Sequence, residues 1–148
     1  MRGTQRASPI SWGRTDVELG TFGAILKFAL EMEERAAAFY EAGARGGLAA
    51  PFAELARGSR KRRRRLEQAR RELVNEMILE SITGLKGEAY AVDLDATVDE
   101  AERRRQAEIL EETAARFYRD AAAKMPIREI ARLFRRLARE NEQRRAWL

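Results

Sequence analysis

The two halves of the chain repeat the same pattern of residues. The segment EMEERAAAFYEAGA at 31–44 aligns with ILEETAARFYRDAA at 109–122, at an offset of 78 positions. Further apolar residues repeat at an offset of 82. They are Phe52, Leu55, Ala56 and Leu66 in the first half and Phe134, Leu137, Ala138 and Leu148 in the second. Each half therefore encodes one copy of a two-segment unit, and the fold must be built from two such units.

Apolar residues recur at steps of three and four through both segments of each half, which is the period of an amphipathic helix. The predicted helices cover 21–44, 51–80, 97–124 and 126–148, the last of them continuing to Leu148. Gly46-Gly47 is predicted to end the first helix. Pro51 and Pro126 suit first helical positions, and Thr97 to Glu100 resembles a capping box that would start the third helix.

Residues 81–96, with two glycines, form a longer connection between the two helix pairs. The predicted fold is therefore an all-α four-helix bundle made of two hairpins and one crossover. Residues 21–148 form this single domain. Residues 1–20 mix Gly, Ser, Thr and Pro without a period, so we predict a flexible N-terminal arm.

The composition excludes several kinds of chemistry. The chain has no cysteine, which rules out disulfides, iron–sulfur clusters and thiol nucleophiles, and no histidine, the commonest metal ligand and general base. No apolar stretch is long enough to span a bilayer, and the N-terminus lacks a hydrophobic leader segment. We therefore expect a cytoplasmic protein without a membrane partner.

Two motifs occur once in each half. A Glu precedes a Tyr by seven residues at Glu33 and Tyr40, and again at Glu111 and Tyr118. An F-x-x-L-A element follows at 52–56 and at 134–138. With all four motifs in order and in register, residues 21–148 resemble the rubrerythrin branch of the ferritin-like superfamily. The resemblance implies a di-iron oxidoreductase that uses iron or manganese, held by four Glu and two His.

The chain departs from that family where two E-x-x-H motifs should fall. Ser59 and Arg62 stand at the first, and Asn141 and Arg144 at the second. The alternation of three and four places all four residues on the inward faces, near Glu33 and Glu111. The resemblance therefore implies a degenerate di-iron site at six vestigial positions. They are Glu33, Ser59, Arg62, Glu111, Asn141 and Arg144.

Charge balance suggests what replaced the metal. Four carboxylates with two Fe²⁺ sum to zero, and so do two carboxylates with two guanidinium groups. Because buried charges must be paired, Arg62 and Arg144 are predicted to pair with Glu111 and Glu33, in one pairing or the other. The alternative is that an inward arginine extends along its stem to solvent.

No resident metal is expected, although two carboxylates could hold a hard cation weakly. Tyr40 and Tyr118 are predicted core tyrosines, and each hydroxyl then requires a partner.

Six consecutive basic residues at 60–65 cannot share one helix face, since each residue turns the helix by about 100°. Arg62 faces inward and Arg63 flanks it. The remaining residues form a predicted outer basic face, made of Arg57, Arg60, Lys61, Arg64 and Arg65. No aromatic residue interleaves with this run, so a solvated face is favoured over a nucleic-acid interface.

The distal part of the second predicted helix has apolar residues on more than one face, at Val74, Met77, Ile78 and Leu79. An apolar surface wider than one stripe predicts a partner helix, so we expect a homodimer.

The function favoured by these observations is that of a non-catalytic binding or scaffold protein with an unidentified protein partner and no cofactor. One alternative is a metal-dependent peroxidase or ferroxidase using Glu33, Glu111 and neighbouring carboxylates. Those neighbours are Glu34, Glu112, Glu140 and Glu142. Another alternative is a nucleic-acid-binding module that uses the face at 57–71.

Overall fold

Four long helices, arranged as two hairpins, make up most of the part of the chain that the structure describes. The computed structural model describes residues 19–72 and 82–148. The helices are α1 at Phe22–Ala42, α2 at Ala49–Glu72, α3 at Glu100–Lys124 and α4 at Arg128–Arg145. Helix α1 packs along α2, and α3 packs along α4. Within the described residues no β-strand occurs, so the prediction of an all-α bundle is confirmed.

A triad of buried aromatic rings holds each hairpin together. In the first hairpin Phe39, Tyr40 and Phe52 have ring centroids between 5.0 and 5.6 Å apart. The second triad consists of Phe117, Tyr118 and Phe134, with centroids between 5.3 and 6.3 Å apart. The members of the two triads are related by the sequence offsets of 78 and 82. Each buried ring contributes about 1.5–3 kcal/mol of hydrophobic stabilisation.

The start of α3 differs from the prediction. Its N-cap is Asp99 rather than Thr97, and the Asp99 side chain accepts a hydrogen bond from the backbone N–H of Glu102 at 2.9 Å. Thr97 instead donates its hydroxyl to Asp95 at 2.6 Å. The carboxylate two residues closer to the helix therefore replaces the predicted capping box.

Other helix ends also differ from the prediction. Helix α1 ends at Ala42, where Gly43 serves as its C-cap, and Gly46–Leu48 form a short 3₁₀ turn. A Cβ atom on Gly43 would lie 3.0 Å from the ring of Phe52, so glycine allows α1 and α2 to approach closely here. Helix α2 begins two residues before Pro51, and α4 begins two residues after Pro126. Helix α4 ends at Arg145, so Leu148 lies beyond it.

The connection between the hairpins packs against the bundle. Leu85, Val92 and Leu94 are buried in the hydrophobic core. The start of the described chain joins this connection, because the N–H of Leu19 donates to the carbonyl of Leu85 at 3.1 Å. Leu19 is itself fully buried, so the predicted flexible arm does not include it.

Two sequence predictions fall outside the described residues. They are the remainder of the N-terminal arm, at 1–18, and the apolar segment of the second predicted helix, at 73–80. Among the helices that the structure describes, none combines the length and the apolar character needed to cross a membrane.

Candidate functional site

The six positions that the resemblance relates to a di-iron site lie together inside the bundle, where they form one buried cluster. Helices α1 and α3 contribute the two glutamates, and α2 and α4 contribute the residues spaced i and i+3 on their inner faces. All six side chains are buried, with relative exposures of 2 % or less except at Arg144, which is 6 % exposed. These positions are Glu33, Ser59, Arg62, Glu111, Asn141 and Arg144.

Arg62 pairs with the glutamate of its own hairpin. Its Nη1 atom lies 3.5 Å from Oε2 of Glu33. Its Nη2 atom donates to the backbone carbonyl of Leu137 at 3.0 Å and lies 3.4 Å from Oε1 of Glu140. Burial alone would lower the pKa of Arg62, but the charge of Glu33, with smaller effects of Tyr118, Glu111 and Glu140, outweighs burial and raises it. The guanidinium group is therefore a permanent buried cation.

Arg144 makes the equivalent contacts in the second hairpin. Its Nε atom lies 3.6 Å from Oε1 of Glu111. Its Nη2 atom donates to the backbone carbonyl of Leu55 at 3.0 Å and to the hydroxyl of Ser59 at 3.1 Å. Of the two pairings that the sequence left open, the structure therefore has Arg62 with Glu33 and Arg144 with Glu111. Neither arginine extends to solvent.

The backbone contacts of the two arginines tie the hairpins together. Arg62 lies on the first hairpin and binds the carbonyl of Leu137 on the second, while Arg144 on the second binds the carbonyl of Leu55 on the first. Both carbonyls belong to the F-x-x-L-A elements. Each charged hydrogen bond of this kind contributes about 1.5–3 kcal/mol.

The two core tyrosines also cross between the hairpins. The hydroxyl of Tyr40 donates to Oε2 of Glu111, and the hydroxyl of Tyr118 donates to Oε2 of Glu33. Burial raises the pKa of both phenols well above 10, and the adjacent glutamate raises it further. Both phenols therefore stay neutral and act as hydrogen-bond donors.

The two glutamates differ in their remaining partners. Glu111 also accepts a hydrogen bond from the side-chain amide of Asn141, at 2.7 Å. At the position equivalent to Asn141 the first hairpin has Ser59, which accepts from Arg144. Within this cluster, Nε of Arg144 and Oδ1 of Asn141 are buried and have no hydrogen-bond partner among the described residues. The second half of the cluster is therefore less completely paired than the first.

Carboxylates neutralise much of the predicted basic face. Arg57 pairs with Glu54 on its own helix, Arg60 pairs with Glu41 on α1, and Arg65 lies 3.7 Å from Glu140 on α4. Arg65 was predicted to face outward, but its side chain is only 27 % exposed because it lies beside α4. Lys61 and Arg64 are exposed, and neither has an ion pair among the described residues.

Ion pairs between the two helices of each hairpin follow the sequence offsets. Glu34 lies 4.0 Å from Arg63, and its counterpart Glu112 lies 3.7 Å from Arg145. A third pair is reversed. Glu41 on α1 pairs with Arg60 on α2, whereas Arg119 on α3 pairs with Glu142 on α4.

The family of the chain follows from a comparison with known protein families. A family model of the ferritin-like domain matches residues 23–148, which include all four helices except Phe22, the first residue of α1. The chain belongs to the ferritin-like family. Searches of curated proteins and of solved structures gave no match.

A di-iron centre does not fit the interior of this ferritin-like chain. Arg62 and Arg144 stand where the resemblance to rubrerythrins requires histidines, and both guanidinium groups are directed at the two carboxylates. The neighbouring carboxylates Glu34, Glu112 and Glu142 are exposed and pair with surface arginines. In residues 19–72 and 82–148 no group of three or more Asp, Glu, His or Cys side chains could hold a metal ion.

Sequence reasoning missed three of the groups that hold the cluster. The carbonyl groups of Leu55 and Leu137 have no side-chain signal, because any residue there supplies the same acceptor. Glu140 was considered only as a possible metal neighbour. At the offset of 82, Glu140 corresponds to Gly58 in the first half. A carboxylate present in one half and absent from the other was the available signal that Arg62 has a second acidic neighbour.

Proposed function

We propose that this ferritin-like protein derives from the rubrerythrin branch, has lost its di-iron site, and serves as a non-catalytic binding or scaffold protein. The observation that carries the proposal is the position of the two buried guanidinium groups. Arg62 and Arg144 lie on inward positions of α2 and α4 and pair with Glu33 and Glu111. Of the six ligands that the resemblance implies, this sequence retains these two carboxylates.

Electrostatics supports the loss of the metal. A cation entering this space would meet two fixed positive charges, and the two carboxylates already accept hydrogen bonds from Tyr118, Tyr40 and Asn141. Metal binding would have to displace these donors and leave a buried guanidinium without a partner, which costs several kcal/mol. The arginine pairs thus perform the charge compensation that metal ions perform in the family.

The test is metal analysis of protein purified without chelators. The proposal predicts well below one equivalent of iron or manganese per chain and no peroxidase or ferroxidase turnover. Stoichiometric iron with the absorption of an oxo-bridged pair would refute it.

A designed variant provides the positive control. The substitutions Ser59→Glu, Arg62→His, Asn141→Glu and Arg144→His would install the residue types that the resemblance implies at these positions. We expect this variant to take up about two iron ions per chain where the wild type takes up none. A folded variant that binds no iron would show that the assignment of these positions to the family's ligand sites is wrong.

The assembly remains a prediction. We propose a cytoplasmic homodimer formed through the apolar residues at 74–79, and light scattering at micromolar concentration tests it. A monomer mass would reject the dimer while leaving the proposal for the core intact.

A further inference from the structure

Helix α4 presents arginines that have no carboxylate partner among the described residues. Five exposed arginines make no ion pair with any residue that the structure describes. We name them the α4 stripe, and they are Arg128, Arg132, Arg135, Arg136 and Arg139. On α2, by contrast, Arg57, Arg60 and Arg65 all have carboxylate partners. On the predicted basic face Lys61 and Arg64 are the residues without an ion pair among those described, so α4 carries more unpaired cations than that face does.

The geometry of the α4 stripe is linear. At 100° and 1.5 Å per residue, the five arginines fall within an arc of about 100° and extend over about 16 Å. The nearby acidic residues Glu140 and Glu142 are already engaged by arginines from the core and from α3. Glu129, at the first turn, is the acidic residue within the span.

A shallow groove runs beside the α4 stripe, between α3 and α4. It has a volume of about 430 Å³, and Arg135 and Arg139 line it together with the small side chains of Ala123 and Ala138. Arg119 and Glu142 also line it, but they pair with each other. The groove therefore leaves the guanidinium groups of Arg135 and Arg139 accessible to an anion.

We propose that the α4 stripe binds the phosphate backbone of a double-stranded nucleic acid without reading its sequence. Arginine is well suited to phosphate, since its planar fork donates two parallel hydrogen bonds. A backbone contact requires a row of cations and little else. The stripe lies outside the buried cluster, so this inference does not depend on the proposed function of the core.

The absence of apolar anchors favours a phosphate backbone over an acidic protein. Protein interfaces have an apolar or aromatic centre within a polar rim. The large hydrophobic side chains that are exposed in the described part of the chain are Ile109 and Trp147, and neither belongs to the stripe. The same absence of aromatic rings removes the stacking platform that single-stranded nucleic acids use.

The experiment measures the binding of the full chain to a fluorescent 20-base-pair DNA of mixed sequence, by anisotropy between 50 and 200 mM salt. If all five arginines contact phosphates, the logarithm of the association constant should fall with the logarithm of salt concentration with a slope of about −4.5. Changing all five arginines to glutamine should weaken binding at 50 mM salt at least about tenfold and remove most of this slope. The corresponding five-lysine variant keeps the charges and should retain the slope.

The matched control removes the same number of charges from α2. It changes Arg57, Arg60, Lys61, Arg64 and Arg65 to glutamine, and circular dichroism verifies that every variant is folded. This control should retain affinity within about threefold, because three of its five positions are already neutralised by carboxylates. Equal loss in both variants would mean that only net charge matters and would overturn the proposal.

Two further binding measurements test other occupants of the α4 stripe. Polyglutamate that displaces DNA at equal charge concentration would assign the stripe to acidic proteins. Binding to phosphatidylserine vesicles without binding to DNA would assign it to a membrane surface. Either outcome overturns the nucleic-acid proposal.

Discussion

The two halves of the buried cluster each contain one Arg–Glu ion pair, but the further partners of the two pairs differ. In the first half, Arg62 contacts two carboxylates, Glu33 and Glu140. In the second half, Arg144 contacts one described carboxylate, that of Glu111, and its Nε atom has no hydrogen-bond partner. The glutamates show the opposite distribution. Glu33 accepts from one neutral donor, Tyr118, whereas Glu111 accepts from both Tyr40 and Asn141.

The two buried glutamates therefore differ in how far each depends on a cation and how far on neutral hydrogen-bond donors. Glu33 depends mainly on Arg62 for its stabilisation, while Glu111 has two neutral donors besides its arginine. A buried carboxylate that keeps neutral donors is less severely destabilised when its cation is removed. The two arginines should therefore contribute unequally to stability even though they occupy equivalent positions.

The largest effect is expected for Arg62→Ala. The change leaves Glu33 buried with only Tyr118 as a donor, and we expect it to lower the free energy of unfolding by about 3–5 kcal/mol. Urea denaturation measures it. The control is Arg64→Ala on the exposed side of the same helix, which should change the free energy of unfolding by less than about 0.5 kcal/mol. Equal small effects would mean that the Arg62 pair does not stabilise the core.

Arg144→Ala should be the milder of the two changes. Because Glu111 keeps the hydrogen bonds from Tyr40 and Asn141, we expect the loss to be smaller than for Arg62→Ala by about 1 kcal/mol. The same urea melts compare them. A larger loss for Arg144→Ala would reverse the comparison between the halves.

Alkaline pH should weaken both halves alike. The pKa values of Tyr40 and Tyr118 are raised by burial and by their glutamates, so the folded protein retains both phenolic protons above pH 10. Unfolded tyrosine loses its proton near pH 10, so the stability is fully present below that pH and is lost above it. The slope is about 1.4 kcal/mol per pH unit for each phenol.

Urea melts from pH 9 to 11.5 measure this slope, and absorbance near 295 nm follows tyrosinate formation. We expect tyrosinate to appear together with unfolding. The slope should decrease in the Tyr40→Phe/Tyr118→Phe double variant. Titration of either phenol in the folded protein near pH 10 would contradict the prediction.

Among the variants of the buried cluster, the smallest net effect is expected when one half of the cluster is replaced completely. The variant Arg62→Leu, Glu33→Met and Tyr118→Phe removes the cation, the carboxylate and the phenol that would otherwise lose its acceptor. Since apolar replacement of a whole buried ion pair is often neutral, stability should return to within about 1.5 kcal/mol of the wild type. A loss as large as that of Arg62→Ala alone would show that the groups do not act as a unit.

The sequence was sufficient to predict the bundle and the inward positions, because both depend on helical periodicity and on the repeated spacing of the halves. It could not choose between the two arginine pairings. That choice depends on how the hairpins face each other. In the structure Nη1 of Arg62 lies beside Glu33, while Nη2 donates to the carbonyl of Leu137. The helix ends were predicted less well. Asp99 and Thr97 are both good capping residues, and only the local backbone decides between them.

The reversed surface ion pair affects which of the helices pack against each other while the chain folds. Helices α1 and α3 are similar in sequence, so α1 could pack against α4 in place of α2. In that mispairing Glu41 would face Glu142. In the complementary mispairing, of α3 with α2, Arg119 would face Arg60. Each exposed native pair stabilises the protein by at most about 1 kcal/mol, but the like-charged alternatives add repulsion to that difference. In a chain with two similar hairpins, the reversal of one ion pair gives each helix a way to distinguish its own partner from the equivalent helix of the other hairpin.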